Sequence, residues 1–495
     1  MSNTAQSAAS TRIASLLDAN SFVEIGGQIT ARSTDFNLSA KETPSDGVIT
    51  GYGVIDGSLV YVYSQDATVL NGTVGEMHAK KIARLYDFAM KTGAPVIGLI
   101  DCAGMRLQEA TDALNGFGEI YMQQTKASGV IPQITGIFGT CGGGMAMIPA
   151  LTDFTLMEEK KAKLFVNSPN AIEGNEISKC DTSTAAYQAK EAGLVDFKGS
   201  EEDVLAQIRA LVTMLPANNE DDMSYEECTD DLNRVCKDLA NCAGDTSIAL
   251  SQISDNNVFF EVKADYAKDM VCGFIKLNGS TVGAVANRTE IYDEEGNLTE
   301  SMDAVLSARG ARKAADFVKF CDAFNIPVLT LTNVTGFKAT KCSEANMAKA
   351  VAELTYTFAD ATVPKVNVIV GKAYGSAYLA MNSKSIGADM VYAWPNAEIG
   401  MMDAKLAAKI MYADSDAATI NEKAAEYATL QSSVESAARR GYVDTIIEAE
   451  DTRKLCDRCF RDALYKEERI VQAKNTEQYN EVSINEAEME KKLPV

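Results

Sequence analysis

A spacing of 232 residues organises this chain. Pro95, Gly104, Pro132, Gly139 and Gly143 return as Pro327, Gly336, Pro364, Gly371 and Gly375, each pair separated by the same interval (327 − 95 and 375 − 143 alike). Each copy reads as an apolar strand ending at a glycine, a helix, a second apolar strand and then a glycine-rich turn. A chain built this way repeats one architecture, and it is expected to hold two pockets of similar chemistry. Strands alternating with helices give an α/β class with right-handed crossovers. We place the two halves at residues 1–250 and 251–495, joined by the acidic, Asn-rich stretch from Ala217 to Ser247.

Within the first half, strands are expected at Leu59–Gln65, Pro95–Asp101, Ile131–Phe138, Asp153–Met157 and Leu164–Val166. Their counterparts are Thr281–Ala286, Pro327–Leu331, Lys365–Val370, Asp389–Tyr392 and Ala397–Met401. Short, largely apolar runs of this kind suit strands covered on both faces. Helical periodicity marks His78–Thr92, which stops at Gly93–Ala94–Pro95, and the stretches Ala304–Phe324 and Glu344–Asp360. Residues 1–50 read as a lead-in segment, and Gln472–Val495 as a helical or frayed tail.

Composition narrows the function. The chain has 495 residues, of which 46% are hydrophobic and 23% charged, enough for a well-buried core. A net charge of −23 with no long Lys/Arg run argues against nucleic acid or anionic lipid as a partner. The eleven cysteines are scattered, and Cys456–Asp457–Arg458–Cys459 has no second pair or nearby histidine to complete a metal site. Such thiols point to a reducing cytoplasm. Met1–Thr11 is polar and uncharged, unlike a signal peptide. Val130–Leu151 contains five glycines and reads as strand, turn and helix rather than a membrane span.

The glycine turns, Gly139–Met147 and Gly371–Leu379, each follow an apolar strand and open a helix-forming run. The first N–H groups of a helix have no intrahelical partner. Small residues let a ligand oxygen approach them, so each turn suits a developing oxyanion. The loops Asp101–Met105 and Asn333–Phe337 would supply a second N–H to each hole. The alternative is that the glycines serve only close helix–strand packing. Neither turn is a phosphate-cradling P-loop or a Gly-x-Gly-x-x-Gly fingerprint. Side-chain chemistry is scarce. His78 is the only histidine and begins a helix, where a structural contact is expected. Trp394 reads as a packing anchor. Glu109 and Glu119 are either a general acid/base pair or helix-surface carboxylates. The balance favours oxyanion stabilisation by the backbone, without a dedicated side-chain base.

Several segments carry a family resemblance. They include Gly75–Glu76–Met77–His78–Ala79–Lys80–Lys81, Ala127–Ser128–Gly129–Val130–Ile131–Pro132–Gln133, Pro149–Ala150–Leu151–Thr152–Asp153–Phe154, Lys372–Ala373–Tyr374–Gly375, Tyr392–Ala393–Trp394–Pro395 and Arg439–Arg440–Gly441–Tyr442–Val443–Asp444. Over roughly residues 15–465 the chain resembles the biotin-dependent acyl-CoA carboxyltransferases. These include β subunits of propionyl-CoA and acetyl-CoA carboxylases and α subunits of sodium-pumping methylmalonyl-CoA and glutaconyl-CoA decarboxylases.

The resemblance implies two tandem crotonase-like domains, with acyl-CoA on the N-terminal half and biotin on the C-terminal half. It implies that facing halves come from different subunits of a homo-oligomer, a hexamer arranged as a trimer of dimers. Biotin would arrive on a separate biotin carboxyl carrier protein. Further partners would be a biotin carboxylase, or the membrane subunit of a sodium-pump decarboxylase, which leaves a cytoplasmic chain peripheral to the membrane. The implied substrate is a coenzyme A thioester. Carboxybiotin releases CO2, biotin takes the α-proton of the thioester, and the resulting thioester enolate attacks the CO2. On this reading Gly143, Gly144, Ser376 and Ala377 are the catalytic positions. Gly104, Met105, Arg106, Gly142, Gly336, Phe337 and Gly375 bind substrate, and no metal is needed.

The chain departs from the family at Gly375–Ser376, at Cys102–Ala103–Gly104–Met105–Arg106, after Asn167–Ser168–Pro169, where a Gly-Gly…His segment is missing, and at Met401–Met402–Asp403–Ala404. Two other readings stay open: a non-catalytic scaffold subunit of such a complex, and a biotin-independent crotonase-type hydratase or isomerase. Ala89–Met90–Lys91 is the only Ala-Met-Lys and falls in a helix, so covalent biotin on this chain is not expected.

Overall fold

The structure, a computed structural model, describes residues 7–221 and 227–461. The expected tail, Gln472–Val495, and the first six residues lie outside them. Contacts divide the chain into two compact units. Among the described residues one takes residues 7–221 with Phe260–Phe274 and Ala323–Asn325; the other takes Glu227–Phe259, Ile275–Asp322 and residues 326–461. Each unit carries one copy of the repeat. Residues 227–250 group with the second unit because they pack on it. Arg234 donates to the carbonyls of Gln252 (2.9 Å) and Ser254 (2.8 Å), and Cys236 N–H donates to Glu450 O (3.1 Å).

The first sheet holds β1 (Val23–Ile25), β2 (Val48–Ile55), β3 (Ser58–Gln65), β4 (Val96–Cys102), β5 (Gln133–Gly142), β6 (Phe154–Glu158), β7 (Lys163–Phe165) and β8 (Phe197–Gly199). Its order is β1-β2-β3-β4-β5-β6-β8, with β7 paired to the far end of β5. The second sheet holds β9 (Phe259–Val262), β10 (Met270–Leu277) and β11 (Ser280–Asn287). After the hairpin β12 (Glu290–Tyr292) and β13 (Leu298–Ser301) come β14 (Val328–Val334), β15 (Lys365–Tyr374), β16 (Met390–Ala393), β17 (Glu398–Gly400) and β18 (Thr445–Ile446). Its order is β9-β10-β11-β14-β15-β16-β18, with β17 paired to the far end of β15. The two orders are the same, strand for strand, and the pairs from β3 through β8 and from β11 through β18 are parallel.

All ten expected strands are present, with ends that differ by at most four residues. The lead-in is not featureless: it forms the helix Ala8–Leu16 and the antiparallel strand β1. Side-chain staples repeat as well. Asp153 accepts the N–H of Gln133 (2.8 Å) and Asp389 that of Lys365 (2.9 Å); Asp196 accepts that of Thr155 (2.7 Å) and Asp444 that of Val391 (2.9 Å). Each satisfies a backbone donor at the start of an interior strand.

Helices cover the sheets because their apolar stripes recur at three- and four-residue steps. Glu76–Thr92 buries Ala79, Ile82, Leu85, Tyr86 and Ala89, and ends at Gly93 in the left-handed region (φ +64). Ala308–Ala323 and Lys341–Asp360 match the two helices expected in the second half. The helices after the glycine turns are short, five residues (Met147–Leu151) and six (Gly375–Ala380). Pro149 stands inside the first of them. No helix among the described residues is long and apolar enough to cross a membrane.

In the second unit, Arg453 is buried and ion-paired to Asp255 (2.7 Å) and Asp230 (3.5 Å), and it donates to Ile253 O (2.8 Å). Replacing it with leucine strands the buried Asp255 carboxylate. We expect Arg453→Leu to cost about 3–5 kcal/mol, read as a lowered midpoint in urea unfolding; an unchanged midpoint would refute this role.

Candidate functional site

The two glycine turns are built alike down to the backbone. In β4–β5 the register slips between Ile100 and Cys102, and in β14–β15 between Thr332 and Val334. Such bulges re-aim strand ends. Beyond the slip Cys102 pairs with Cys141 and Val334 with Ala373, which sets each strand-end loop beside its turn. The slip is filled by a side chain lying on a glycine. A Cβ on Gly139 would fall 2.0 Å from Asp101 Oδ1, and one on Gly371 would fall 2.6 Å from Asn333 Oδ1. This accounts for two of the repeated glycines by close approach.

The loops are tied by matching bridges. Val74 N–H donates to Gly104 O and Leu306 N–H to Gly336 O, both at 2.9 Å. Arg106 N–H returns to Val74 O (2.9 Å) and Lys338 N–H to Leu306 O (3.0 Å). Gly104 approaches the first turn closely, since a Cβ there would lie 3.4 Å from Gly142 O. Gly143 (φ +61) and Gly375 (φ +60) occupy the left-handed region that glycine tolerates, and each starts a helical turn that no side chain caps. Around Gly143 a Cβ would meet nothing within 4 Å, so the first turn faces open space; Gly144 is exposed. Thus Gly104, Met105, Gly142, Gly143 and Gly144 gather in the first unit. Gly336, Phe337, Gly375, Ser376 and Ala377 belong to the second, where Ser376 is exposed and Ala377 buried.

Arg106 requires a correction. Expected to bind substrate, its side chain is buried and committed to the fold: Nη1 bonds Asp46 Oδ1 (2.6 Å) and Glu109 Oε1 (2.8 Å), and Nη2 donates to Thr73 O (2.8 Å). Its backbone N–H is spent on Val74 O. The same network removes Glu109 from any acid/base pair with Glu119, since its other oxygen accepts Glu76 N–H (2.6 Å) at the start of a helix. Glu119 instead lines a cavity of about 740 Å³ with Ile25, Lys80, Arg84 and Met122, apart from the glycine turn. His78 is fully buried. Its main-chain N–H donates to Asp46 Oδ2 (2.8 Å), its Nδ1 lies 2.9 Å from Asp46 O, and its Nε2 lies 3.1 Å from Gln65 Nε2. Burial, reinforced by the Arg106 guanidinium, pushes its pKa down to about 3. Its role is structural, as expected.

In the second unit the turn opens on a cavity of about 620 Å³, within the range of small-ligand sites. Gly375, Ser376, Leu379, Met401 and Tyr442 line it, with Lys384 and Arg440 as cations. Trp394 is not among its lining residues; it is buried and donates to Thr452 Oγ1 (3.1 Å), the packing anchor expected. Asp403 caps the helix Ala404–Met411 through Leu406 N–H (3.0 Å). Reading the sequence missed Asp101 and Asn333 as the fillers of the bulges, although both obey the 232-residue interval.

Comparison with known proteins agrees with this construction. A family model described as a carboxyl transferase domain matches residues 3–478. The methylmalonyl-CoA decarboxylase subunit alpha of Veillonella parvula is 40% identical over 457 residues, covering 89% of this chain and 87% of that protein. The propionyl-CoA carboxylase beta chain of Roseobacter denitrificans is 39% identical over 464 residues, covering 91% and 89%. Among solved structures, transcarboxylase 12S, described as a hexamer assembly with hydrolysed methylmalonyl-CoA bound, superposes with a TM-score of 0.87 at 35% identity, over 93% of this chain and 90% of that one. The expected α/β class with two tandem crotonase-like domains stands.

The single histidine makes a direct check. His78 is neutral in the fold, and the unfolded chain gains a proton that the fold refuses as pH falls from about 6.5 towards 3. Stability contributed by neutral His78 is thus present above pH 6.5 and lost on acidification, by up to about 1.4 kcal/mol per pH unit. The lone imidazole C2–H resonance should still report a neutral ring at pH 5. A titration midpoint near 6.5 would contradict its burial.

Proposed function

Because the chain belongs to the carboxyl transferase family, we propose that it moves a carboxyl group between carboxybiotin on a separate carrier protein and the α-carbon of a short acyl-CoA. The pair is acetyl- or propionyl-CoA and malonyl- or methylmalonyl-CoA, and the same N–H groups serve either direction. One observation carries the reading: a backbone cradle for an oxygen, built twice in one register. Two developing oxyanions need two such cradles, and neither needs a histidine.

The residues fit both ligands. Space beyond Gly143 admits a thioester oxygen to the N–H groups of Gly143 and Gly144, with the Gly104–Met105 loop beside them. In the second unit, the cavity at Gly375 and Ser376 admits a bicyclic urea, with Leu379, Met401 and Tyr442 as apolar walls and the N–H of Ala377 next in the chain. Carboxybiotin, when bound, supplies both the CO2 and the base for the α-proton. The chain's own part is to hold the thioester oxygen as its charge grows, to orient the α-carbon and to exclude water.

Water exclusion motivates self-assembly. Met401 (71% exposed) lines the second cavity, and the helix Ala404–Met411 that follows it exposes Ile410 (62%), Met411 (54%) and Leu406 (50%). A second copy covering it would dry the site, in a homo-oligomer such as a hexamer. A biotin carboxylase or a sodium-pump membrane subunit would supply or consume the carboxyl group.

Gly144→Val tests the core of this reading. A Cβ there would already lie 3.0 Å from the Tyr121 hydroxyl, and the branched side chain would fill the space for the oxygen. Turnover should fall on the order of 100-fold or more while the fold persists; near-normal turnover in folded Gly144→Val would remove the first turn from the mechanism. The purified chain should also show its unmodified mass and no streptavidin signal after expression with biotin ligase. Lys91 lies in the last turn of the helix Glu76–Thr92 rather than on the hairpin tip a ligase reads. Free biotin at high concentration with methylmalonyl-CoA should permit decarboxylation, and a biotinylated chain would overturn the need for a separate carrier.

A further inference from the structure

We propose that Tyr121 is a positioning residue that clamps the first glycine turn, an inference that rests on the acyl-CoA role given to that turn above. Gly142, Gly143 and Gly144 are consecutive, and three glycines give a backbone its greatest freedom. An oxyanion hole needs the opposite, N–H groups held still before the charge appears. No side chain caps the turn, so something else must hold it. Tyr121 does so from the helix Ala110–Ala127. Its hydroxyl donates to Gly144 O at 2.6 Å. The same carbonyl accepts Met147 N–H, so both its lone pairs are engaged. Fixing this carbonyl fixes the peptide plane that follows Gly144 and limits rotation of the one that precedes it. Two donors on the carbonyl also polarise that peptide, whose N–H is that of Met145, next in line after the cradle's own.

The ring is itself placed. Tyr121 is half-buried and leans on Phe117, with centroids 5.9 Å apart at 47°. The hydroxyl also explains why position 144 carries no side chain, since a Cβ there would meet it at 3.0 Å.

The second half provides the contrast. By the 232-residue interval Tyr121 corresponds to Glu353, whose carboxylate is engaged by Lys319 at 2.6 Å. The second turn carries no such hydroxyl at that position, and it has less to restrain. Its sequence there is Tyr374–Gly375–Ser376, one glycine where the first turn has three. The clamp accompanies the flexible copy and is absent from the stiffer one.

The test is Tyr121→Phe, which keeps the ring and removes only the hydroxyl. With free biotin and methylmalonyl-CoA, kcat should fall on the order of tenfold while KM for the acyl-CoA stays within about twofold, because the loss is one of orientation rather than of binding. The melting temperature should hold, and the amides of Gly143–Met145 should exchange with solvent faster while those of β5 keep their protection. Gly144→Ala displaces the same hydroxyl by sterics, so the double variant should be no worse than the poorer single variant. Wild-type kcat and exchange in Tyr121→Phe, or additive losses in the double variant, would overturn the clamp. Gly144→Val separates the two levels. If it is inactive while Tyr121→Phe is normal, the clamp alone fails; if Gly144→Val is active, the reading of the turn fails and the clamp with it.

Discussion

Much of this structure depends on a side chain resting where a glycine has none. Asp101 in one half and Asn333 in the other lie against Gly139 and Gly371 at the end of a parallel strand pair. That close approach goes with a two-residue slip in register, and the slip sets each strand-end loop beside its glycine turn. A residue with a Cβ at either glycine would force the polar group off the strand and close the slip. The cradle is thus a packing consequence before it is a chemical device.

The halves then stabilise the shared geometry by different means. The first buries ions under its loop: Arg106 between Asp46 and Glu109, and Lys81, whose ammonium burial lowers to about 8, donating to Ser45 O (2.8 Å). Removing one member leaves a charge without its counter-ion in a dry place, which makes the cluster rigid and intolerant. In the second half, amides and hydroxyls also brace the strand ends. Asn287 accepts Asn333 N–H (3.0 Å), Asn333 accepts Lys372 N–H (3.0 Å), and Thr332 meets Asn367 (2.8 Å). The first half presents a fixed face, and the second opens on a cavity with exposed methionine and leucine at its edge.

The 232-residue interval made the architecture legible, because a glycine required by close approach cannot drift without breaking the strand end. It located both turns and both loops, and the strand order follows from the same duplication. Arg106 misled because an arginine beside a glycine loop reads the same whether it meets a ligand or an internal carboxylate. The difference lies in Asp46, sixty positions away and held with positive φ (46°), which no local pattern announces. Glu109 was legible only as one of two carboxylates for the same reason. Tyr121 was silent because it breaks the repeat, and a search for echoes finds only what recurs.

The helices behind the turns are short, five and six residues, and the first begins as a single tight turn, Gly143–Ala146. So brief a helix sums few peptide dipoles, and its influence dies within the first turn. On the proposed function, negative charge here would be met by individual N–H groups and not by a far-reaching field. That reconciles the cradle with a chain of net charge −23. Most of those carboxylates act through water and salt, where the Debye length is about 8 Å at physiological ionic strength. An acidic surface and the proposed oxyanion cradle are compatible because the two operate on different length scales.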